Sequence, residues 1–254
     1  AALRREVADK TGRPVIVAGS VGQSKDIMAP LGPMTHSVAV ESFHEQADGL
    51  KEGGADVLWL ETISAPEEFR AAAEGFALAG INWCGTMSFD TAGRTMMGMT
   101  SEAMVRMVEA LPNPPLGFGA NCGTGASDLL RTVLGFASQR SALPIIAKGN
   151  AGIPKYVDGH IHYDGTPELM ADYAVMARDC GATIIGGCCG TMPEHLSKMR
   201  AALDEQPKSV PPKLEDIVAR IGPFSSASDG TGDTDATPPR RRTRRATKAK
   251  QSQQ

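Results

Sequence analysis

The 254-residue sequence predicts an α/β fold, a (β/α)8 TIM barrel of which about six C-terminal β/α units are present. Short apolar runs alternate six times with amphipathic helical patterns, which is typical of parallel strands joined by crossover helices. Polar or glycine-rich residues follow nearly every run. The βα loops of a barrel all converge on one face, whereas an open doubly wound sheet gathers only those at its switch point, so this pattern favours the barrel.

The elements follow in a regular order along the chain. The chain starts at Ala1, and Leu3–Lys10 is typical of the end of a crossover helix, so we expect the first two β/α units to be absent. The predicted strands are Pro14–Gly19, Asp56–Leu60, Asn82–Phe89, Leu116–Ala120, Pro144–Ala147 and Ala182–Ile185. The predicted helices are Ser37–Glu52, Pro66–Ala79, Ser101–Leu111, Ser127–Ser138, Pro167–Asp179 and a short one over Lys213–Ile221. Ser64, ahead of Pro66 and Glu67, predicts the cap of its helix.

Composition divides the chain into three parts and excludes several functional classes. We expect a barrel domain over 1–205, a short extension over 206–224 and a disordered basic tail over 225–254. Seven Lys or Arg and no acid lie between Arg240 and Lys250, and taking these charges from the net −3 leaves −10 for the rest. An acidic body argues against a nucleic-acid enzyme. We therefore interpret the tail as a solvated extension, with a nucleic-acid or membrane contact as the alternative.

The sequence offers neither a membrane span nor a disulfide framework. No apolar run reaches the length of a transmembrane helix, and no signal-peptide pattern opens the chain. Five cysteines are an odd and small number that suits a reducing compartment, so we expect a cytoplasmic protein. The sequence leaves open whether the chain forms a homo-oligomer.

Three cysteines at predicted strand ends are the strongest functional signal. Cys122 lies in Gly119–Gly123 (GANCG), and Cys188 and Cys189 lie in Ile184–Thr191 (IIGGCCGT). Three thiolates suit Zn²⁺ and leave a fourth tetrahedral position for a ligand such as a substrate thiol. The alternatives are buried packing cysteines or a strained vicinal disulfide. On a regular strand Cys188 and Cys189 would point to opposite faces, so both reach one metal only where the strand ends.

The sequence resembles the homocysteine S-methyltransferase family. The resemblance rests on the two cysteine motifs, followed by Pro193-Glu194-His195, with support from Leu60-Glu61-Thr62 and Val17–Gly22, and it spans nearly all of residues 1–205. It implies a TIM barrel whose zinc is held by Cys122, Cys188 and Cys189. It also implies that the substrate is homocysteine.

The same resemblance implies two substrate-binding residues and a methyl donor. Glu61 would bind the amino group of homocysteine, and Asn121 would lie beside the zinc. The longer stretches Met87–Met99 and Lys148–Thr166 most resemble bacterial betaine–homocysteine enzymes. The expected donor is therefore betaine, with S-methylmethionine as the alternative.

Several other groups have weaker functional interpretations. Trp83, Tyr156 and Tyr163 could supply aromatic faces for a cationic donor. Gly149–Gly152 and the Gly186-Gly187 pair could cradle a phosphate, which makes a phosphate-ligand barrel the main rival; a catalytically silent zinc-binding fragment is the other. Cys84 and Cys180 are expected to be packing residues, and His195 is expected in the first turn of the last helix. The His160/His162 pair has a spacing that can bind metal, but we expect it to bind the donor or to line the site instead.

Overall fold

A computed structural model describes residues 1–153, 155–157 and 159–231. Its strands are β1 (Ala18–Val21), β2 (Val57–Ile63), β3 (Trp83–Met87), β4 (Phe118–Cys122), β5 (Ile145–Gly149), β6 (Lys155–Val157), β7 (His160–His162) and β8 (Ile184–Gly187). Six of them form one parallel sheet in the order β1-β2-β3-β4-β5-β8, and β6 and β7 form a separate antiparallel hairpin. All six predicted strands are therefore present, and the hairpin is an element that the sequence analysis missed.

Helices connect the strands and cover the outside of the sheet. They are α1 (Ala2–Asp9), α2 (His36–Glu52), α3 (Pro66–Ala79), α4 (Ser101–Glu109), α5 (Ala126–Ser138), α6 (Pro167–Cys180), α7 (Pro193–Glu205) and α8 (Leu214–Arg220). The predicted cap of α3 was wrong: its N-cap is Ala65, which makes no side-chain cap bond. The helix still begins there because Pro66 and two acidic residues occupy its first turn.

The sheet is curled into the wall of a barrel. In sheet order β3 and β4 separate β2 from β5, so in a flat sheet these two strands would lie about 14 Å apart at about 4.8 Å per spacing. Instead, Lys148 Nζ of β5 lies 2.5 Å from Glu61 Oε2 of β2. The two side chains meet across the concave face, which confirms the predicted barrel class with six β/α units.

The two faces of the sheet have different cores. Between sheet and helices lies a large apolar core in which the rings of Phe69 and Phe76 contact Trp83, with centroids 5.4 and 5.6 Å away. On the concave face a smaller cluster comprises Val57, Cys84, Ile146, Ala18 and Trp59. Polar side chains therefore collect on the concave face beyond this cluster, at the carboxyl ends of the strands.

The C-terminal extension packs against the outer helices. Ile217 of α8 is fully buried, and Arg178 of α6 donates hydrogen bonds to the carbonyls of Gln206 and Pro207. The predicted tail begins at Ser225, whose N–H donates to Asp128 Oδ2 of α5. Most of that tail, residues 232–254, lies outside the described residues. Among the described helices, none combines the length and apolarity that crossing a bilayer requires.

Candidate metal centre and substrate pocket

The three predicted metal ligands converge at one point. Cys122 ends β4, and Cys188 and Cys189 follow β8 directly. Their sulfur atoms all lie within 4.8 Å of one another, and the Cys122 and Cys189 sulfurs are 3.9 Å apart. Tetrahedral zinc with Zn–S bonds of about 2.3 Å places its sulfurs about 3.8 Å apart. The spacing therefore fits one metal ion, and the described residues could bind it through three thiolates.

The backbone at the two strand ends explains this convergence. Cys122 has a φ of +60°, a left-handed conformation that is uncommon outside glycine and that turns its side chain at the end of β4. The β5–β8 ladder ends at Gly187, after which Cys188 N–H donates to the Gly149 carbonyl at 2.7 Å. Since pairing stops there, the alternation of side chains also stops, and both adjacent cysteines face the same point.

The thiols differ in acidity. The pKa of Cys188 falls to about 5, chiefly because Cys122 donates a hydrogen bond to its sulfur; burial opposes this, and Asn121 and Lys148 favour the thiolate. The same hydrogen bond and burial raise the pKa of Cys122 strongly. A thiolate is thus stabilised in the cluster before any cation binds, which is the form that a metal requires.

Two buried asparagines surround the thiols. Asn121 Nδ2 donates to Cys188 Sγ at 3.6 Å, and Asn150 Nδ2 donates to Cys122 Sγ at 3.7 Å. Asn150 Oδ1 also accepts the N–H of Cys189 at 3.1 Å. Each asparagine is 1% exposed. Together they orient all three cysteines, which is the usual work of residues that contact metal ligands.

Asn121 also ties the cluster to β2. Its Oδ1 accepts hydrogen bonds from Thr62 N–H at 2.8 Å and from the Thr86 hydroxyl at 2.7 Å, and its Nδ2 donates to Thr62 Oγ1 at 2.8 Å. Thr62 sits at a φ of +64° where the β2–β3 register shifts. Because every polar atom of the Asn121 amide already has a protein partner, the side chain holds the bulge beside Glu61. Its direct contact with substrate stays a prediction.

Glu61 lies on the same concave surface with two polar neighbours. Ser20 Oγ donates to Glu61 Oε1 at 2.5 Å, and Lys148 pairs with Oε2. Burial acts to raise the pKa of this carboxyl, but the hydrogen bonds from Lys148 and Ser20 outweigh it and the pKa is lowered. Glu61 is therefore ionised at neutral pH. The sequence analysis counted Lys148 among the polar residues that follow the apolar runs, but it did not predict that Lys148 would pair with Glu61.

The aromatic candidates separate into different parts of the fold. Tyr163 lies beside the cluster: its ring packs on Gly190, where an added Cβ would come within 2.5 Å of the ring, and burial and a hydrogen bond with Cys189 raise the pKa of its phenol to about 12. The prediction that Trp83 contacts the donor was wrong, because its side chain is only 1% exposed and its ring is buried among the helices. Tyr156 is 77% exposed on the hairpin.

The remaining predicted features take structural places. His195 Nδ1 accepts the N–H of Met192, and its Nε2 contacts the Gly165 carbonyl at 2.9 Å, in the first turn of α7 as expected. Cys84 and Cys180 are buried, also as expected. His160 and His162 are exposed on the hairpin. Neither belongs to the group of metal-binding residues found in the described part of the chain, which consists of Cys122, Cys188 and Cys189.

The glycine loops have few N–H groups to offer a phosphate. Gly149 N–H donates to the Tyr173 hydroxyl at 2.9 Å, and Gly152 N–H donates to the Asn150 carbonyl at 2.9 Å. The N–H groups of Ala151 and Cys189 are likewise taken by protein acceptors. A phosphate would need those donors, so the geometry disfavours the phosphate-ligand alternative.

Comparisons with known proteins identify the family of the chain. The sequence profile of the homocysteine S-methyltransferase family matches residues 1–203. A methionine synthase from Mycobacterium tuberculosis is 29% identical over 242 residues, which cover 88% of this chain and 20% of that protein. The chain therefore spans about one fifth of that relative's length.

Solved structures show the same fold. The apo form of the homocysteine methyltransferase MmuM from Escherichia coli superposes with a TM-score of 0.60 at 21% identity, covering 78% of this chain and 67% of that one. Its metallated form gives a TM-score of 0.57 at 23% identity, covering 78% and 65%.

Proposed function

The chain belongs to the homocysteine S-methyltransferase family, and on that premise we propose that it transfers a methyl group to the thiol of homocysteine, giving methionine. The observation that carries the proposal is the convergence of three cysteine sulfurs within 4.8 Å at the carboxyl ends of β4 and β8. Such a donor set binds a soft cation, and zinc is the proposed one. We place the reaction in the cytoplasm, where reducing conditions keep the thiols free.

The residues around the cluster have defined parts in this reaction. Zinc, when bound by Cys122, Cys188 and Cys189, would supply a Lewis acid that keeps a substrate thiol deprotonated at neutral pH. Asn121 and Asn150 hold the three cysteine side chains in place through hydrogen bonds to sulfur and to the Cys189 backbone. The protein contributes orientation rather than proton transfer.

Glu61 supports recognition of the substrate's amino group. Its carboxylate is ionised and lies on the concave face, where an ammonium group can replace or join its present partners. The bulge at Thr62, fixed by Asn121, sets the direction of this side chain. A substrate with its ammonium at Glu61 and its sulfur near Cys188 would be held at both ends.

For the methyl donor, we propose betaine, with S-methylmethionine as the alternative. Both donors are cations that carry an activated methyl group, and such cations bind favourably against an aromatic face. Tyr163 provides such a face next to Cys189. The donor would approach from that side, with its methyl carbon in line with the substrate sulfur. The new bond from sulfur to carbon would form as the bond from the methyl group to the donor's nitrogen or sulfur breaks, and the demethylated donor would leave with that electron pair.

The test is methionine formation by the zinc-loaded protein from homocysteine, with each donor offered separately. We expect turnover with betaine and its loss on chelation of zinc. Cys189→Ser should abolish turnover, whereas Cys180→Ala, which removes a buried thiol outside the cluster, should retain it. Turnover with S-methylmethionine alone would show that this compound, and not betaine, is the donor, and would leave the proposed reaction unchanged. No methionine from either donor in a protein that holds zinc would contradict the proposal and favour the silent fragment.

A further inference from the structure

The ion pair between Glu61 and Lys148 is an unusual feature of the barrel's interior. It joins two strands that are not neighbours, and the side chains are 23% and 21% exposed. Lys148 Nζ also lies 5.3 Å from the centroid of the Trp59 ring. Removing two charges from water costs free energy that their attraction does not reliably recover. The pair is therefore weak evidence for a purely stabilising role.

Lys148 lies on β5, between β4, which ends at Cys122, and β8, which leads to Cys188 and Cys189. In the sheet it is opposite Asn121 of β4, the residue before Cys122, and opposite Gly186 of β8, two residues before Cys188. The ammonium of Lys148, the carboxylate of Glu61 and the metal-binding sulfurs thus share one concave surface.

From this placement we propose that Lys148 binds the carboxylate of the substrate while Glu61 binds its ammonium group, so that the pair selects thiols that carry a zwitterionic amino-acid end. The inference rests on the proposed function and specifies how its substrate is recognised. When an amino acid enters, its ammonium takes the place of Lys148 at Glu61, and its carboxylate takes the place of Glu61 at Lys148. Every charge keeps a partner, and the site stays neutral. A lysine suits this exchange because its charge sits on a flexible stem.

The alternative is that the pair only holds β2 against β5. Both interpretations predict a lower free energy of unfolding when Lys148 is replaced, so a stability measurement alone does not distinguish them. Substrate analogues do separate them, because 3-mercaptopropylamine lacks the carboxylate of homocysteine and 4-mercaptobutanoate lacks its amine. A structural pair would affect all three thiols equally.

The experiment measures KM and the calorimetric Kd of the three thiols for the zinc-loaded wild type, Lys148→Met, Lys148→Arg and Glu61→Gln. A hydrogen-bonded charge contributes about 1.5–3 kcal/mol, so Lys148→Met should weaken homocysteine binding by about 10- to 100-fold. Binding of 3-mercaptopropylamine should not weaken. Lys148→Arg should restore most of the preference for homocysteine, and Glu61→Gln should weaken both amines while sparing 4-mercaptobutanoate.

Lys198→Met is the matched control, since Lys198 forms a long, exposed pair with Glu168 on the outer helices. It should leave all three affinities unchanged. If Lys148→Met weakens homocysteine and 3-mercaptopropylamine by the same factor, or neither, the inference is overturned even where methionine is formed. If the wild type forms no methionine, the proposed function fails, and the Kd values still decide whether Lys148 reads a carboxylate.

Discussion

Replacing Asn121 by alanine tests how the thiol cluster is held. The change removes the acceptor of Thr62 N–H and a hydrogen bond to Cys188, while Thr86 keeps a second, longer contact with the Leu60 carbonyl. An unsatisfied buried donor costs about 1–3 kcal/mol, and with the lost side-chain bonds the free energy of unfolding should fall by about 2–4 kcal/mol. Loss of the contact to a metal ligand should weaken zinc binding by about 10- to 100-fold.

Urea unfolding of the metal-free protein gives the first quantity, and competition with a chromophoric chelator gives the second. Asn113→Ala is the control: that amide makes one long bond, 3.5 Å to the Ala73 carbonyl, far from the thiols. The control should change stability by less than about 0.5 kcal/mol and leave zinc affinity alone. An Asn121→Ala protein with wild-type zinc affinity would refute the positioning role, because its hydrogen bond to Cys188 would then have no effect on the ligands.

Three further changes follow from the structure. Tyr173→Phe leaves the N–H of Gly149 without its acceptor and should lower the free energy of unfolding by about 1–3 kcal/mol in urea titrations; an unchanged midpoint would contradict the hydrogen bond. Arg131→Met breaks the buried ion pair with Asp128 and the hydrogen bond to the Ser226 carbonyl. Limited proteolysis should therefore cut the chain after residue 221 sooner than in the wild type. The pKa of Glu61 is lowered from its ordinary 4.5, so its ion pair is fully formed above pH 4.5 and is lost as the pH falls through the lowered pKa. The difference in free energy of unfolding between the wild type and Glu61→Gln should therefore be constant from pH 6 to 8 and shrink only in acid. A change in that difference near neutral pH would contradict this expectation.

The architecture could be predicted from the sequence because each parallel strand is a continuous apolar run. Cys122, Cys188 and Cys189 could be predicted to meet because each follows such a run, and the ends of parallel strands share one face. The predicted bounds of β1 were wrong: the apolar run begins at Pro14, but the strand that pairs with β2 is Ala18–Val21.

The details of the site depend on contacts that no local pattern encodes. Lys148 meets Glu61 only because the sheet curls across two intervening strands. The saturation of the Asn121 amide depends on the bulge at Thr62, where a non-glycine residue adopts a left-handed backbone. Trp83 lies on a strand buried on both faces, so alternation gives no sign that its ring points toward the helices.

X-ray absorption at the zinc edge, before and after addition of homocysteine, counts the sulfur atoms bound to the metal. We expect three sulfur neighbours at about 2.3 Å in the zinc-loaded protein and four once homocysteine is bound. Cys180→Ala should give the same spectra as the wild type. Fewer than three sulfurs in the resting protein, or a sulfur count that homocysteine does not raise, would contradict the claim that Cys122, Cys188 and Cys189 bind a metal that activates the substrate thiol.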